Sequence, residues 1–343
     1  MFKKLSTLEI PARKFYFTVV ECTINLVSEM IGMKDIVSFN KIDIIENVFS
    51  ESLIELWIKF ADVRPSSQRT YAKALTQMLK FFYSNHITSP TRADIEKWKS
   101  EMLVTKKAST VQLYIITTKL FFKFLSQHNL YPNITDNMKS AKVDHEYKKD
   151  ALTVNQCQAL LQSIDISTTK GLRDRAIISL MITAGLRTIE VVRADVGDLH
   201  SFADSVYLSV QGKGHDEKSA KVLVASQVYA FIQEYLQTRK NLSNSEPLFT
   251  STSRRNFNKR LDTQSISKLV KSKLRDISID DSRHTAHSLR HTAATQALLN
   301  GVPLTQVQQV LRHTNINTTL IYSHAIERMK NKSEQTVADA IFN

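Results

Sequence analysis

Only seven glycines punctuate 343 residues. Glycine serves tight turns and left-handed corners, so a chain this poor in it has few sharp reversals and must run mostly in helices. Apolar spacing agrees. Four helices are predicted between Ser50 and about Asn133. Ser52 to Phe60 is amphipathic, and Gln68 to Asn85 carries Tyr71, Leu75, Met78, Leu79 and Phe82 at helical spacing. Thr91 is positioned to cap a third helix through Ile95, Trp98 and Met102. Ser109 is positioned to cap a fourth, reaching about His128 past Tyr114, Thr117, Leu120, Phe121 and Phe124. Aromatic stripes at this spacing read as core.

Residues 138–150 are charged and nearly free of aliphatic side chains, which reads as an interdomain linker over 138–152. Thr153-Val-Asn-Gln156 has the pattern of a capping box and opens a second domain, 153–326. Helices are expected there around 154–164, 171–184, 226–239, 263–276, 287–299, 303–312 and 315–325, with strands at 205–210 and 220–224. The fold class is mainly α with a small antiparallel β-sheet, in two domains. Residues 1–48 read as an N-terminal extension without a clean period and without an assigned role. The tail, 327–343, ends in a short apolar face of Val337, Ala338, Ala340, Ile341 and Phe342.

Lys and Arg number 46 against 33 Asp and Glu, a formal charge of +13. That excess favours a polyanionic partner, most often nucleic acid. Arg69, Lys73, Lys80, Lys106, Lys107 and Lys119 in the helical domain are candidate DNA contacts, with a solvated helix surface as their ordinary reading. Neither a lysine-rich amphipathic helix nor a polybasic tail points to a membrane surface. The two cysteines, Cys22 and Cys157, allow no disulfide framework and suit a reducing compartment. Arg13, Lys14 and Glu21 interrupt the apolar stretch that a signal peptide would need. No uncharged apolar run approaches the roughly 18 residues of a membrane span. A soluble cytoplasmic protein is expected.

Six residues can carry chemistry on a phosphodiester. The reaction needs cations on the non-bridging oxygens, a group that takes the nucleophile's proton and an acid for the leaving oxygen. Arg187 and Arg290 suit the first task, because a guanidinium fork binds two oxygens and keeps its charge. Gly185 is a plausible left-handed residue closing a helix, which puts Arg187 at a helix-to-helix corner. Arg290 lies one turn after His287 on the same face. Lys213 sits between two glycines at the tip of the expected hairpin, where an ammonium could protonate a leaving oxygen. Tyr322 is a candidate nucleophile, needing cationic surroundings because free tyrosine titrates near pH ~10. Each has an ordinary reading alone. Glu190 could simply pair with Arg187, or it could orient it; His313 could merely end a helix; Tyr322 could be core.

Together the motifs resemble the tyrosine recombinase (phage integrase) family. Ala184-Gly-Leu-Arg-Thr-Ile-Glu-Val191 looks like its first arginine box, Gly212-Lys-Gly214 like its lysine hairpin and His287-Ser-Leu-Arg-His-Thr-Ala-Ala-Thr295 like its histidine–arginine box. The run from Gln309 to Tyr322 looks like the box that ends in the nucleophile, and Ser67 to Leu75 more weakly resembles the core-binding domain, here 49–137. The resemblance implies a two-domain DNA clamp in which Tyr322 attacks a backbone phosphate, forming a 3′-phosphotyrosyl bond and releasing a 5′-hydroxyl. Arg187, Arg290 and His313 would hold the phosphate, His287 would assist proton transfer and Lys213 would act as acid. It implies neither metal nor ATP, a homotetramer on two duplexes passing through a Holliday junction, and room for accessory DNA-bending proteins. Integration or excision of a mobile element and chromosome dimer resolution both fit. Three departures stand out. Arg312 precedes His313 where the family usually has glycine, residues 214–219 are less basic than its common hairpin, and residues 1–45 do not match its arm-binding module. Three other readings stay open: a type IB topoisomerase, a non-catalytic DNA-binding protein on the same fold, and a zinc hydrolase using His287, His291 and His313. Against the last, Leu289 and Arg290 occupy the positions between the first two histidines where a catalytic glutamate is expected.

Overall fold

The computed structural model describes residues 49–143, 150–212, 217–240, 242–331 and 333–342. The chain forms two compact units that divide at His145 and Glu146.

The first unit holds α1 (Glu51–Phe60), α2 (Pro65–Ser84), α3 (Arg92–Thr105) and α4 (Ala108–Gln127). Each begins where local chemistry allows it. The Ser50 hydroxyl accepts from the Leu53 amide at 3.3 Å. Pro65 occupies the first turn of α2, where a missing N–H costs nothing. Thr91 N and Oγ1 both donate to the Asp94 carboxylate at 2.7 Å, closing the start of α3. Helix α4 departs from the expectation: its N-cap is Lys107, and Ser109 falls inside the first turn. Leu75, Met78, Phe82, Ile95, Trp98, Ile115, Phe121 and Phe122 fill the core. Trp57 meets Phe121 edge-on at 5.6 Å, and Trp98 stacks on Tyr114 at 6.4 Å. Leu120 is an exception to the stripe and lies exposed. The stretch read as a linker begins later than expected, because Met138 and Ala141 pack into this core.

The second unit is built on α6 (Thr169–Ala184), whose Ala176, Ile177, Ile178, Leu180 and Met181 are all buried. Before it, α5 (Val154–Gln162) starts at the predicted capping box, with Gln156 N donating to Thr153 Oγ1 at 3.2 Å and Thr153 N to Gln156 Oε1 at 2.9 Å. After it come the short α7 (Thr188–Arg193) and an antiparallel sheet of β1 (Leu199–Phe202), β2 (Ser205–Val210) and β3 (Ala220–Val224), in that order. The register pairs Leu199 with Leu208 and Tyr207 with Leu223. Helices α8 (Ser226–Gln237), α9 (Thr263–Asp276), α10 (Ala286–Leu299), α11 (Leu304–Leu311), α12 (Asn317–Lys330) and α13 (Ser333–Phe342) complete it. Leu152 closes onto this core, its amide donating to Thr292 Oγ1 at 2.8 Å. Helices α8 and α10 pack on α6, and α12 packs on α10. This brings the segments around Arg187, Arg290, His313 and Tyr322 together.

Candidate active site

Helix α6 ends at Gly185, in the left-handed region at φ 59°, ψ 32°. A Cβ there would lie 2.7 Å from Leu311 Cδ2, so glycine is needed for its conformation and for the close approach of α11. The reversal leaves Arg187 as N-cap of α7, at the predicted corner. Its main-chain N–H donates to Glu190 Oε2 at 2.8 Å and its guanidinium NH1 to Oε1 at 2.9 Å. Glu190 is 0% exposed. Burial pushes its pKa up, but the adjacent Arg312 and then Arg187 bring it below the usual carboxylate value, so the group is an anion.

Arg290 is buried on α10. It donates through NH1 to Gly185 O at 2.5 Å and through NH2 to Leu311 O. It thereby ties the end of α6 to the end of α11. Burial, then the charges of Arg187 and Arg312, pull its pKa down to about 9, still above neutrality. One residue on, His291 is buried and its Nδ1 lies 2.5 Å from the Tyr322 hydroxyl. The exposed His287 ring meets His291 edge-on at 4.4 Å.

Arg312 closes α11 at φ 54°, ψ 46°. A non-glycine residue there costs on the order of 1 kcal/mol. The position where the family usually has glycine is thus left-handed here, with an arginine occupying it. His313 follows, its Nδ1 2.9 Å from Thr319 Oγ1 on α12 and its ring nearly parallel to Tyr322 at 6.5 Å. Burial, followed by Arg290, Arg187 and Arg312, lowers its pKa to about 4. At neutral pH it is uncharged and would serve a phosphate as hydrogen-bond donor. Tyr322 is 4% exposed and packs with Ala294, Val307 and Leu311.

Of the six sequence candidates, Arg187, His287, Arg290, His313 and Tyr322 converge on this cluster. Lys213 lies outside the described residues. The strands on either side of it pair, and Gly212 O accepts from Arg193 NH1 of α7 at 3.4 Å. Lys218 Nζ bridges Asp195 and Asp198, each at 2.5 Å. Among the helical-domain candidates, Arg69, Lys73 and Lys107 are exposed and Lys106 is half-buried. Lys119 is half-buried and donates to Met138 O at 2.6 Å, because its position on α4 faces the end of the first unit rather than open solvent.

Two contributors were not assigned to this site from sequence. His291 stands inside the histidine–arginine box, where the sequence offers it only as a zinc ligand. Arg312 stands out in the sequence only as a departure from glycine. The clue to both would have been tertiary: their partners, Tyr322 and Glu190, lie 31 and 122 residues away. Among the described residues, no three His, Cys, Asp or Glu side chains form a metal-binding group. Chemically the cluster offers a phenol, three imidazoles, two of them in ring contact with one another, and an excess of guanidinium over carboxylate.

The sequence profile described as Phage integrase family matches residues 150–329, and the one described as Phage integrase, N-terminal SAM-like domain matches 55–129. A tyrosine recombinase XerC of Herpetosiphon aurantiacus is 29% identical over 284 residues, 79% of this chain and 90% of that protein. A tyrosine recombinase XerA of Pyrococcus horikoshii is 28% identical over 280 residues, 81% of this chain and 90% of that protein. In fold, the chain is similar to a XerH site-specific recombinase in a post-cleavage complex with palindromic difH substrate, with TM-score 0.68, 19% identity and coverage of 100% and 99% of the two chains. A lambda integrase dimer bound to a COC′ core site gives TM-score 0.61 at 14% identity over 78% and 96%. Among the described residues no helix is long and apolar enough to cross a membrane.

Proposed function

The chain belongs to the phage integrase family, and from that premise we propose that it is a site-specific tyrosine recombinase whose nucleophile is Tyr322. The observation that carries the residue assignment is the convergence of Tyr322 with His291, His313 and Arg290 while Arg187 stands at the adjoining corner. The phenolic oxygen attacks a DNA phosphorus, the bond to the 5′-oxygen breaks and a 3′-phosphotyrosyl bond forms. The departing oxygen takes a proton and leaves as a 5′-hydroxyl. Attack by the 5′-hydroxyl of a partner strand reverses the step. The energy of the broken bond is kept in the phosphotyrosine, so no ATP is consumed.

Arg187 and Arg290 hold the non-bridging oxygens as charge develops on them. His313 donates a hydrogen bond to the same phosphate, and His287 assists removal of the phenolic proton. Lys213 protonates the leaving oxygen, a role that rests on its sequence context. Glu190 fixes Arg187. With Tyr322 at 4% exposed, α12 must shift when DNA binds. The helical unit, 49–137, contacts backbone phosphates through Arg69, Lys73, Lys106 and Lys107, with Lys119 released from Met138 O if it takes part. Such contacts make binding strongly salt-dependent. The active assembly is a homotetramer on two duplexes in the cytoplasm, resolved through a Holliday junction with or without accessory DNA-bending proteins. Helix α13 presents exposed Val337, Ile341 and Phe342 and docks on a neighbouring subunit. The outcome is integration or excision of a mobile element, or resolution of chromosome dimers.

The test uses the full chain and a library of nicked duplexes of random sequence. Adducts that survive denaturation are captured and sequenced. The expected result is a consensus site and an adduct absent with Tyr322→Phe. An adduct that persists in that variant, or none from the wild type, contradicts the proposal.

A further inference from the structure

Arg312 has features that capping alone does not explain. It occupies a backbone conformation suited to glycine, yet its side chain is 13% exposed and reaches back to the first arginine corner. All three of its nitrogens are engaged. NH2 donates to Glu190 Oε2 at 2.8 Å and approaches Gly185 O at 3.4 Å; Nε approaches Glu190 Oε1 at 3.4 Å; NH1 donates to Val310 O at 2.6 Å. With Nε and NH2 on Glu190 and NH1 on Val310 O, this guanidinium is directed at the buried carboxylate. Its counterpart, Glu190, is fully buried and also takes both the main-chain N–H and the guanidinium of Arg187.

Without a second arginine, one carboxylate and Arg187 would form a balanced pair. A balanced pair holds its guanidinium in place but offers a phosphate little charge. With Arg312 present, two cations share the one anion, and the excess positive charge lies at Arg187, whose side chain is 25% exposed. Arg312 also immediately precedes His313, so the same ion pair fastens the segment entering α12 to the corner that starts α7.

Resting on the recombinase reading, we propose that Arg312 is a positioning residue: it serves as the principal counter-charge of Glu190, which leaves Arg187 able to bind the scissile phosphate and fixes His313 beside it. Burial of Glu190 and the charge of Arg312 are the two largest influences on that carboxyl, in opposite directions, which agrees with this division of labour. The residue touches no reacting atom. Its effect reaches the chemistry through Glu190 and Arg187.

The experiment measures single-turnover adduct formation on the nicked duplexes selected above, at saturating DNA, with DNA affinity measured in parallel. Arg312→Gly removes the charge together with the left-handed strain, whose relief offsets part of the cost of leaving buried Glu190 with Arg187 alone, and adduct is scored per folded molecule. The variant is expected to form adduct on the order of tenfold more slowly, with affinity changed much less, because one charge-assisted contact acts on the reacting phosphate. Arg312→Lys should recover most of the rate. In a Glu190→Gln background, Arg312→Gly should have little further effect, since its partner charge is gone. Wild-type speed in Arg312→Gly overturns the inference while leaving the recombinase reading intact. So does an equal loss in the lysine variant, or an undiminished loss in the glutamine background. Failure of the wild type to form any adduct sinks the recombinase reading, and this inference with it.

Discussion

Two groups of buried charge sit in the same unit, and they are built differently. Near the start of α6, Arg173 and Asp174 face each other at 2.6 Å, and Arg173 also donates to Thr250 O at 2.8 Å. One cation meets one anion, and the guanidinium staples the loop after α8 to the helix. At the far end of α6, Arg187 and Arg312 both bond one carboxylate, Glu190, and the Arg290 guanidinium, held on backbone carbonyls, adds a third positive charge nearby. A balanced pair is a structural clamp that gains little beyond its desolvation cost. An unbalanced cluster stores positive charge in a partly desolvated place, which is costly to the free protein and useful only when an anion arrives. The imbalance, more than burial, marks the second group as a site.

Substitutions can break this contrast. The largest effect is expected for Arg290→Lys, which keeps the charge but loses the fork: adduct formation should slow about 10²–10³-fold in a single-turnover assay. A rate within error of wild type would mean that the fork is not used. Asp174→Asn should do the reverse. It should cost about 3–5 kcal/mol of unfolding free energy in urea by leaving Arg173 without its counter-charge, while the rate per folded molecule stays within about twofold of wild type. Gly185→Ala should cost less than either, about 1–3 kcal/mol of unfolding free energy, because the new methyl meets Leu311 in a left-handed backbone.

The smallest effect is a pH dependence. His313 is held neutral by burial and its arginine neighbours, with its folded pKa near 4 against an ordinary 6.5. The unfolded chain therefore takes up the proton first as pH falls, so stability should decline through the window from 6.5 down to 4 and be unaffected by this group above it. Comparing urea midpoints of wild type and His313→Gln across that window checks the sign. A wild type that gains stability relative to the variant on acidification would contradict it.

Long elements with strong apolar periods were legible in the sequence. Helix α9 spans Thr263–Asp276 as read, and the glycine that ends α6 was identifiable because few other residues adopt that conformation. The strands Ser205–Val210 and Ala220–Val224 also fall where read, but two other short elements were not legible. Strand β1 has four residues, of which only Leu199 is not exposed, and α7 has six, too few to show a helical period. Ser109 looked like a cap because hydroxyls favour that position, but the turn closed earlier on Lys107. In the site, motif order located the chain segments, while the hydrogen-bond pattern was inaccessible. That Glu190 would be shared between Arg187 and Arg312, and that Tyr322 would rest on His291, depends on the packing of α11 and α12 against α10. Nothing local to those residues encodes it.

Mass spectrometry of the peptide left on DNA after proteolysis of the trapped adduct tests the central claim most directly. The account predicts a single nucleotide-bearing peptide, modified on the phenol of Tyr322 and joined to a 3′-phosphate. Attachment at any other side chain, or through a 5′-phosphate, would contradict it.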